Sequence, residues 1–336
     1  MTLNTLPILV TGGGGFLGHA IVSRLFKQGR KVRTLSRGFY QSLAELGVEQ
    51  IQGDIRDQNI VETACRGVSL VFHTAAKAGV WGNPSDFYDI NVTGTKNLLA
   101  ACNRAKCIRL VHTSSPSVVF DGCDMTGVDE TTPYPKRYTA PYPATKALAE
   151  KLVLRAAQNG LPAIILRPHL IWGPGDNHLV PRIVDRAHKL RRVGNGRNLV
   201  DTIFIDNAAD AHILASECLQ SNPRLSGKIY FISQGEPVPL WDMVDNILKA
   251  ADMNPVKGRI SKQTAWVVGA FLEVIYRLLR LSGEPRMTRF LAEELSTNHW
   301  FDIRAAREDL GFTPLVSTKE GLGRLTEWFH LIRLSQ

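Results

Sequence analysis

The chain is poor in cysteine, with five in 336 residues, and no two of them form a Cys-x-x-Cys pair. Cys65, Cys102, Cys107, Cys123 and Cys218 are odd in number and cannot close into a complete disulfide framework. A reducing compartment and no metal site are therefore expected. No run reaches the ~18 uncharged apolar residues of a spanning helix. No basic-then-apolar leader precedes the apolar run at residues 7–10, so a cytoplasmic chain is expected. In such a chain the acceptor triplet Asn91-Val92-Thr93 stays unglycosylated. Repeats, low-complexity tracts and long linkers are missing too. The second part of the chain should then pack directly on the first, with a cleft between them.

What is present suits a soluble protein with a sizeable core. Hydrophobic residues make up 44% and charged residues 21%, which excludes a disordered or collagen-like chain. The net charge of +9 fits nucleic acid, a membrane surface or anionic small molecules. The basic clusters at residues 27–37 and 186–197 lack the interleaved aromatics or Cys/His spacing of a nucleic-acid module. No nucleic-acid partner is expected. Solvated faces are the plain reading of both clusters, and an anionic cofactor suits the first.

The first 170 residues alternate β-rich and helical stretches. Strands are expected at residues 8–11, 31–36, 49–53, 69–73, 109–113 and 163–167, with helices at 16–28, 85–104 and 143–159. That order predicts an α/β fold, a Rossmann-type doubly wound parallel sheet covered by helices on both faces. Beyond residue 173 the regularity falls. Residues 181–190 and 206–219 read as helices, and 200–205 and 228–232 as strands returning to the main sheet. The chain is mostly helical after residue 239. The expected division is a dinucleotide-binding domain over 1–172, joined by about 200–235, and a smaller, mostly helical substrate region over 173–336.

Thr11-Gly12-Gly13-Gly14-Gly15-Phe16-Leu17-Gly18 follows the first strand and opens the first helix. Gly12 permits the tight turn, Gly15 the approach of a pyrophosphate, and Gly18 close helix–strand packing, with the helix N-terminus facing the phosphates. The second strand ends Thr34-Leu35-Ser36-Arg37-Gly38, with no acid between Lys31 and Tyr40. An NAD site normally has an acid there, on the ribose 2′-hydroxyl. Ser36 and Arg37 instead suit a 2′-phosphate, which favours NADP(H). Asp54, after the third strand, can accept from the adenine amino group with Ile55 against the ring; a helix-capping Asp is the alternative.

Tyr142 and Lys146 stand four residues apart, on one face of a predicted helix. A nearby ammonium favours the phenolate, and such a tyrosine can pass a proton to or from a carbonyl oxygen. Thr113-Ser114-Ser115-Pro116-Ser117 ends the fifth strand, where parallel sheets face their ligands. Ser115 is the first choice to hold a substrate oxygen and Ser117 the second.

With these motifs the sequence resembles the extended short-chain dehydrogenase/reductases over almost its whole length. The resemblance rests on residues 11–18, Asp54-Ile55, His73-Thr74-Ala75-Ala76, Asn91-Val92-Thr93-Gly94-Thr95, residues 113–115, residues 142–146 and Leu166-Arg167-Pro168. It implies a catalytic triad of Ser115, Tyr142 and Lys146, with Lys146 also on the nicotinamide ribose. It further implies cofactor contact at Phe16, Leu17, Ala75, Ala76, Lys77, Ser114 and Pro168. Residues 140–150 resemble the 3β-hydroxysteroid and sterol-4-carboxylate 3-dehydrogenase branch. Residues 76–82, 166–176, 179–182 and 283–293 are similar to the 2-alkyl-3-oxoalkanoate reductases of bacterial long-chain olefin biosynthesis.

That resemblance implies an NADPH-dependent reductase of a lipid-like 3-oxo acid. Arg182, Arg289 and His169 are the candidate partners of a substrate carboxylate. A steroid or sterol dehydrogenase is the near alternative. A nucleotide-sugar epimerase fits less well, given the missing acid and the apolar C-terminal half. A non-enzymatic NADP sensor has no need of the triad. Residues 264–281 are apolar except for Glu273, Arg277 and Arg280, with Glu273 placed to pair with Arg277. They are expected to form a buried core or homodimer helix, a wall of an alkyl-chain pocket, or a peripheral membrane contact. Delivery of substrate by a partner enzyme of the same pathway is compatible with the last two.

Overall fold

The computed structural model describes residues 6–105 and 108–334. Cys107, counted among the cysteines above, lies outside them. Seven strands form one all-parallel sheet: β1 (Ile8–Thr11), β2 (Val32–Ser36), β3 (Glu49–Gln52), β4 (Leu70–His73), β5 (Arg109–Thr113), β6 (Ala163–Pro168) and β7 (Ile229–Ile232). Their order across the sheet is β7-β6-β5-β4-β1-β2-β3. The chain therefore reverses its direction of travel between β1 and β4, and the carboxyl ends on either side of that gap open a crevice. Register puts Thr11 beside both Leu35 and His73, and His73 beside His112. The ends of the central strands thus form one level floor.

The strands are apolar because both faces of the sheet are covered. Every residue of β1, β4 and β6 is buried. Burying one such aliphatic side chain stabilises the fold by about 1.5–3 kcal/mol. Helix α1 (Phe16–Lys27) packs one face together with the later helix Ile205–Ser221, and Arg24 of α1 donates to Asp210 of that helix at 3.0 Å. Helix α2 (Gly94–Ala105) covers the other face, and α3 (Pro141–Gln158) carries the Tyr142–Lys146 pair. Pro141 opens α3, where a missing N–H costs nothing and a fixed φ favours the helix.

The fold follows the expected plan, with local differences. The helix expected over 85–104 is broken by a wide turn at Asp89–Thr93 between Pro84–Tyr88 and α2. Residues 228–232 do return to the main sheet, as β7 beside β6. Residues 200–205 do not. They split into Leu199–Val200 and Ile203–Phe204, which pair in two smaller sheets with Val238–Pro239 and His299–Phe301, and with Ile171–Trp172. The intervening Asp201 accepts from Phe301 N at 2.9 Å, and Thr202 accepts from Trp172 Nε1 at 3.1 Å, so the chain turns there to satisfy polar groups.

Beyond the later helix α4 (Ile205–Ser221) and the buried helix Leu240–Ala250 come α5 (Lys262–Leu278) and α6 (Arg289–Glu294). The expectation that α5 is core is overturned, because only Ala265, Gly269 and Glu273 of it are buried. Glu273 pairs with Arg289 at 2.8 Å rather than with Arg277.

Candidate active site

A cavity of about 570 Å³ runs along the crevice, and all seventeen residues expected to bind cofactor or react line it. At one end is the glycine turn. Gly12 has φ +72°, and a Cβ on Gly18 would stand 2.2 Å from the Gly12 carbonyl oxygen, so neither position accepts a side chain. Gly15 leads into α1, and no side chain caps the helix. Phe16 and Leu17 complete this wall. The need for glycine at Gly14 emerges only in the fold. A Cβ there would meet the Tyr40 ring at 2.0 Å, so Tyr40 packs against the turn and joins the cavity lining.

At the end of β2, the Ser36 hydroxyl accepts from Gly14 N at 3.3 Å. Arg37 is exposed at the cavity edge, and among the described residues no hydrogen bond or ion pair within the chain engages it. Asp54 lines the cavity beside Ile55 but is already engaged. Arg56 donates to both its oxygens, at 2.9 and 2.7 Å, and holds its carboxyl below the usual range. The helix cap belongs instead to Asp57, which accepts from Asn59 N and Ile60 N.

At the centre, His73 bridges Thr11 (2.8 Å) and Thr95 (3.0 Å). Burial, with the Lys146 charge nearby, pushes its pKa down to about 3, so it stays neutral as a strut. Thr74, Ala75, Ala76 and Lys77 follow along the wall. Asn91, on the wide turn, accepts from Lys77 N at 2.7 Å and donates to Lys77 O (3.1 Å) and to Thr145 Oγ1 (3.0 Å). It ties this wall to α3. Residues 91–95 were legible as a motif, but no role for Asn91 could be read from them.

Further along the same cavity, Ser115, Tyr142 and Lys146 come together. Ser115 Oγ lies 3.0 Å from Ser117 Oγ and accepts from Ser117 N at 3.3 Å, so the second-choice serine positions the first. Ser114 Oγ is buried without a partner among the described residues. Lys146 is buried and donates to the Thr113 carbonyl at 2.6 Å. Desolvation lowers its pKa to about 8, against an opposing pull from Glu150. The Tyr142 phenol differs from expectation. Its pKa is raised, first by burial, with Ser115 hydrogen bonding pulling it down and Glu294 pushing it up. Lys146 is anchored on Thr113 and does not set it. The phenol therefore keeps its proton at neutral pH, as a proton donor requires.

Helix α3 is held by a buried ion pair. Arg167 of β6 donates to Glu150 at 2.6 and 3.1 Å, and Tyr134 donates to the same carboxylate at 2.6 Å. Pro168 and His169 continue β6 into the cavity wall.

Val80, Leu170, Ile171, Leu179 and Phe290 also line the cavity, with Asp176, Arg182 and Glu294 as charged groups beside them, and Asp176 is engaged by the backbone N–H groups of His178, Leu179 and Val180. Glu294 had no signal in the sequence. Desolvation pushes its carboxyl up to about 7, with Arg182 pulling down and Glu293 pushing up. Of the three carboxylate candidates, Arg289 is held by Glu273 and is absent from the lining. His169 is lining but neutral, its pKa well below the usual value through burial and then His299. Arg182 is lining and cationic, sharing Glu284 with Arg186. No residue of 264–281 lines the cavity, so the pocket-wall expectation for that segment is corrected too.

The glycine cradle, the long crevice across the switch point and the unengaged Arg37 and Ser114 fit a dinucleotide. Residues 9–261 match the 3-beta hydroxysteroid dehydrogenase/isomerase family. The chain is 49% identical to a 2-alkyl-3-oxoalkanoate reductase of Stenotrophomonas maltophilia, over 95% of this chain and 98% of that one. It is 34% identical to a sterol-4-alpha-carboxylate 3-dehydrogenase, decarboxylating, of Mus musculus, over 96% and 91%. It resembles the solved structure of MoeE5 in complex with UDP-glucose and NAD, with TM-score 0.74, 26% identity and coverage of 97% and 99%. The cavity and these likenesses support a nucleotide cofactor. On the family match and the fold, the chain belongs to the 3-beta hydroxysteroid dehydrogenase/isomerase family within the extended short-chain dehydrogenase/reductases, and is an oxidoreductase.

Proposed function

We propose that the protein is an NADPH-dependent reductase that converts a lipid-like 2-alkyl-3-oxo acid to the 3-hydroxy acid. One juxtaposition carries this reading: in a single cavity a protonated Tyr142 stands between the dinucleotide crevice and an apolar chamber whose cationic group is Arg182. The similarity to named 2-alkyl-3-oxoalkanoate reductases supports it. The reduced nicotinamide, when bound, supplies a hydride. Ser115 holds the substrate carbonyl oxygen beside Tyr142, and the phenol gives that oxygen its proton. Lys146, charged below about pH 8, binds the ribose, and the Ser115 hydroxyl stabilises the tyrosinate left behind. Arg182 binds the substrate carboxylate, and Val80, Leu179 and Phe290 receive alkyl chains. Arg37 and Ser36 take the 2′-phosphate, which an acid at that point would repel.

A sterol dehydrogenase running the same chemistry in reverse is the second reading, supported by the 34% identity to the mouse enzyme. The test is NADPH oxidation against 2-alkyl-3-oxo acids, their methyl esters, 3-ketosteroids and UDP-sugars. The acids should turn over fastest, with the esters weaker because Arg182 loses its partner. Steroid turnover without acid turnover would favour the second reading, and turnover of UDP-sugars alone would overturn both.

A further inference from the structure

Sixteen large hydrophobic side chains are exposed on the described molecule, and eight of them fall within residues 266–281: Trp266, Val267, Val268, Phe271, Val274, Leu278, Leu279 and Leu281. Val267, Phe271, Val274 and Leu278 follow at spacings of four, three and four, so they form one stripe along α5. Phe271 is 64% exposed and Leu278 76%. The helix is about 25 Å long at 1.5 Å per residue. It is fixed and not swung loose. A Cβ on Gly269 would lie 2.6 Å from the Thr288 carbonyl carbon, and Glu273 accepts from Arg289 N, Nε and Nη2 at 2.8, 3.0 and 2.8 Å.

The charge on α5 itself is one-sided, while Glu293 of α6 accepts from Trp266 Nε1 at 3.2 Å near its N-terminal end. Glu273 is the only acid of residues 262–281, and it is buried on the inner face. Arg277, Arg280 and Arg286 are exposed at the C-terminal end, and among the described residues none of them forms an ion pair. A second copy of the chain laid on this stripe would bring no acid of its own helix to those arginines. An anionic lipid surface meets both the apolar stripe and the cations.

The stripe also stands beside the cavity. Tyr276 meets Trp81 edge-on at 6.2 Å, and the Arg277 guanidinium lies 5.3 Å from that ring's centre. Trp81 follows Val80, a lining residue, and α6, packed on α5, carries Phe290 and Glu294 into the wall.

We propose that the outer face of α5 is an interfacial membrane-binding surface, which seats the protein on an anionic bilayer with the rim of its cavity at the lipid. No helix among the described residues is long and apolar enough to cross a membrane, so the contact is monotopic. This inference stands on the surface alone and survives a change of substrate.

The test is co-sedimentation of the full chain with vesicles of phosphatidylcholine, alone or mixed with phosphatidylglycerol. The wild type should bind the mixed vesicles and bind the neutral ones less. A combined V267S/F271S/V274S/L278S variant alters only exposed side chains. It should lose roughly tenfold or more in vesicle affinity while keeping NADPH binding and the oligomeric size of the wild type. R280Q/R286Q should lose the preference for phosphatidylglycerol. Absent vesicle binding, or binding unchanged in the serine variant, would overturn the proposal. So would a wild-type dimer that falls apart in that variant without any vesicle binding.

Discussion

The Lys146 ammonium donates a 2.6 Å hydrogen bond to the carbonyl oxygen of Thr113, the last residue of β5. The helix that carries Tyr142 and Lys146 is thereby pinned to the sheet floor. The bond also explains why the phenol is governed by burial, Ser115 and Glu294 rather than by the lysine.

The first prediction is a pH profile. Burial lowers the Lys146 pKa from 10.5 to about 8, so the folded chain holds fewer protons than the unfolded one between those values. This group's penalty on stability is present below about pH 8 and is relieved as pH rises through that window. Function runs the other way, because the charge is lost. NADPH affinity of the apo chain should fall as pH passes about 8, and Lys146→Met should flatten the fall. Titration by fluorescence across pH 6–10 measures it. An affinity independent of pH would contradict the role given to the ammonium.

Glu294 makes a second pH dependence. Its carboxyl is raised from 4.5 to about 7, so the folded chain holds the extra proton in that window. Stability from this group is fully present below 4.5 and is lost as pH rises toward 7. Once ionised, Glu294 shares the chamber with Arg182 and repels a substrate carboxylate. KM for an acid substrate should rise as pH passes about 7, and in Glu294→Gln the rise should vanish while kcat is largely kept. Parallel KM curves for the two proteins would refute this.

The proposed preference for NADPH rests on Arg37. Charge-assisted hydrogen bonds contribute about 1.5–3 kcal/mol, so NADPH should bind more than tenfold tighter than NADH. Arg37→Ala should shrink that ratio mainly by weakening NADPH. Comparing the four dissociation constants decides it, and equal affinities in the wild type would remove the argument.

Behind the site, the Glu150–Arg167 pair is almost wholly buried. Glu150→Ala leaves a guanidinium in the interior without its partner and should cost about 3–5 kcal/mol. Urea unfolding reads the loss. A midpoint within error of the wild type would mean that α3 does not depend on the pair.

The sheet and the dinucleotide crevice were legible because they are written locally. Gly12 to Gly18, Ser36-Arg37 and Tyr142 to Lys146 each sit at one strand end or helix start, where backbone conformation dictates residue type. The outer chamber was not legible. Glu294 reaches Tyr142 from the far end of the chain, and no spacing rule joins them. Asn91 acts through an irregular turn that helical periodicity smooths over. Residues 200–205 have a strand's composition, and the polar demands of Asp201 and Thr202 that break them arise only in the fold. Helix α5 shows a deeper limit. Hydrophobicity around most of a helix says that something should cover it, and the sequence cannot say whether that is the protein itself.

The central claim is that Tyr142 gives the proton while the nicotinamide gives the hydride, and single-turnover reduction of a 2-alkyl-3-oxo acid by bound NADPH in Tyr142→Phe tests it most directly. Losing the donor while keeping the ring should slow the step by roughly 10²–10⁴-fold, with NADPH affinity near wild type. A wild-type rate in the Phe variant would contradict the account.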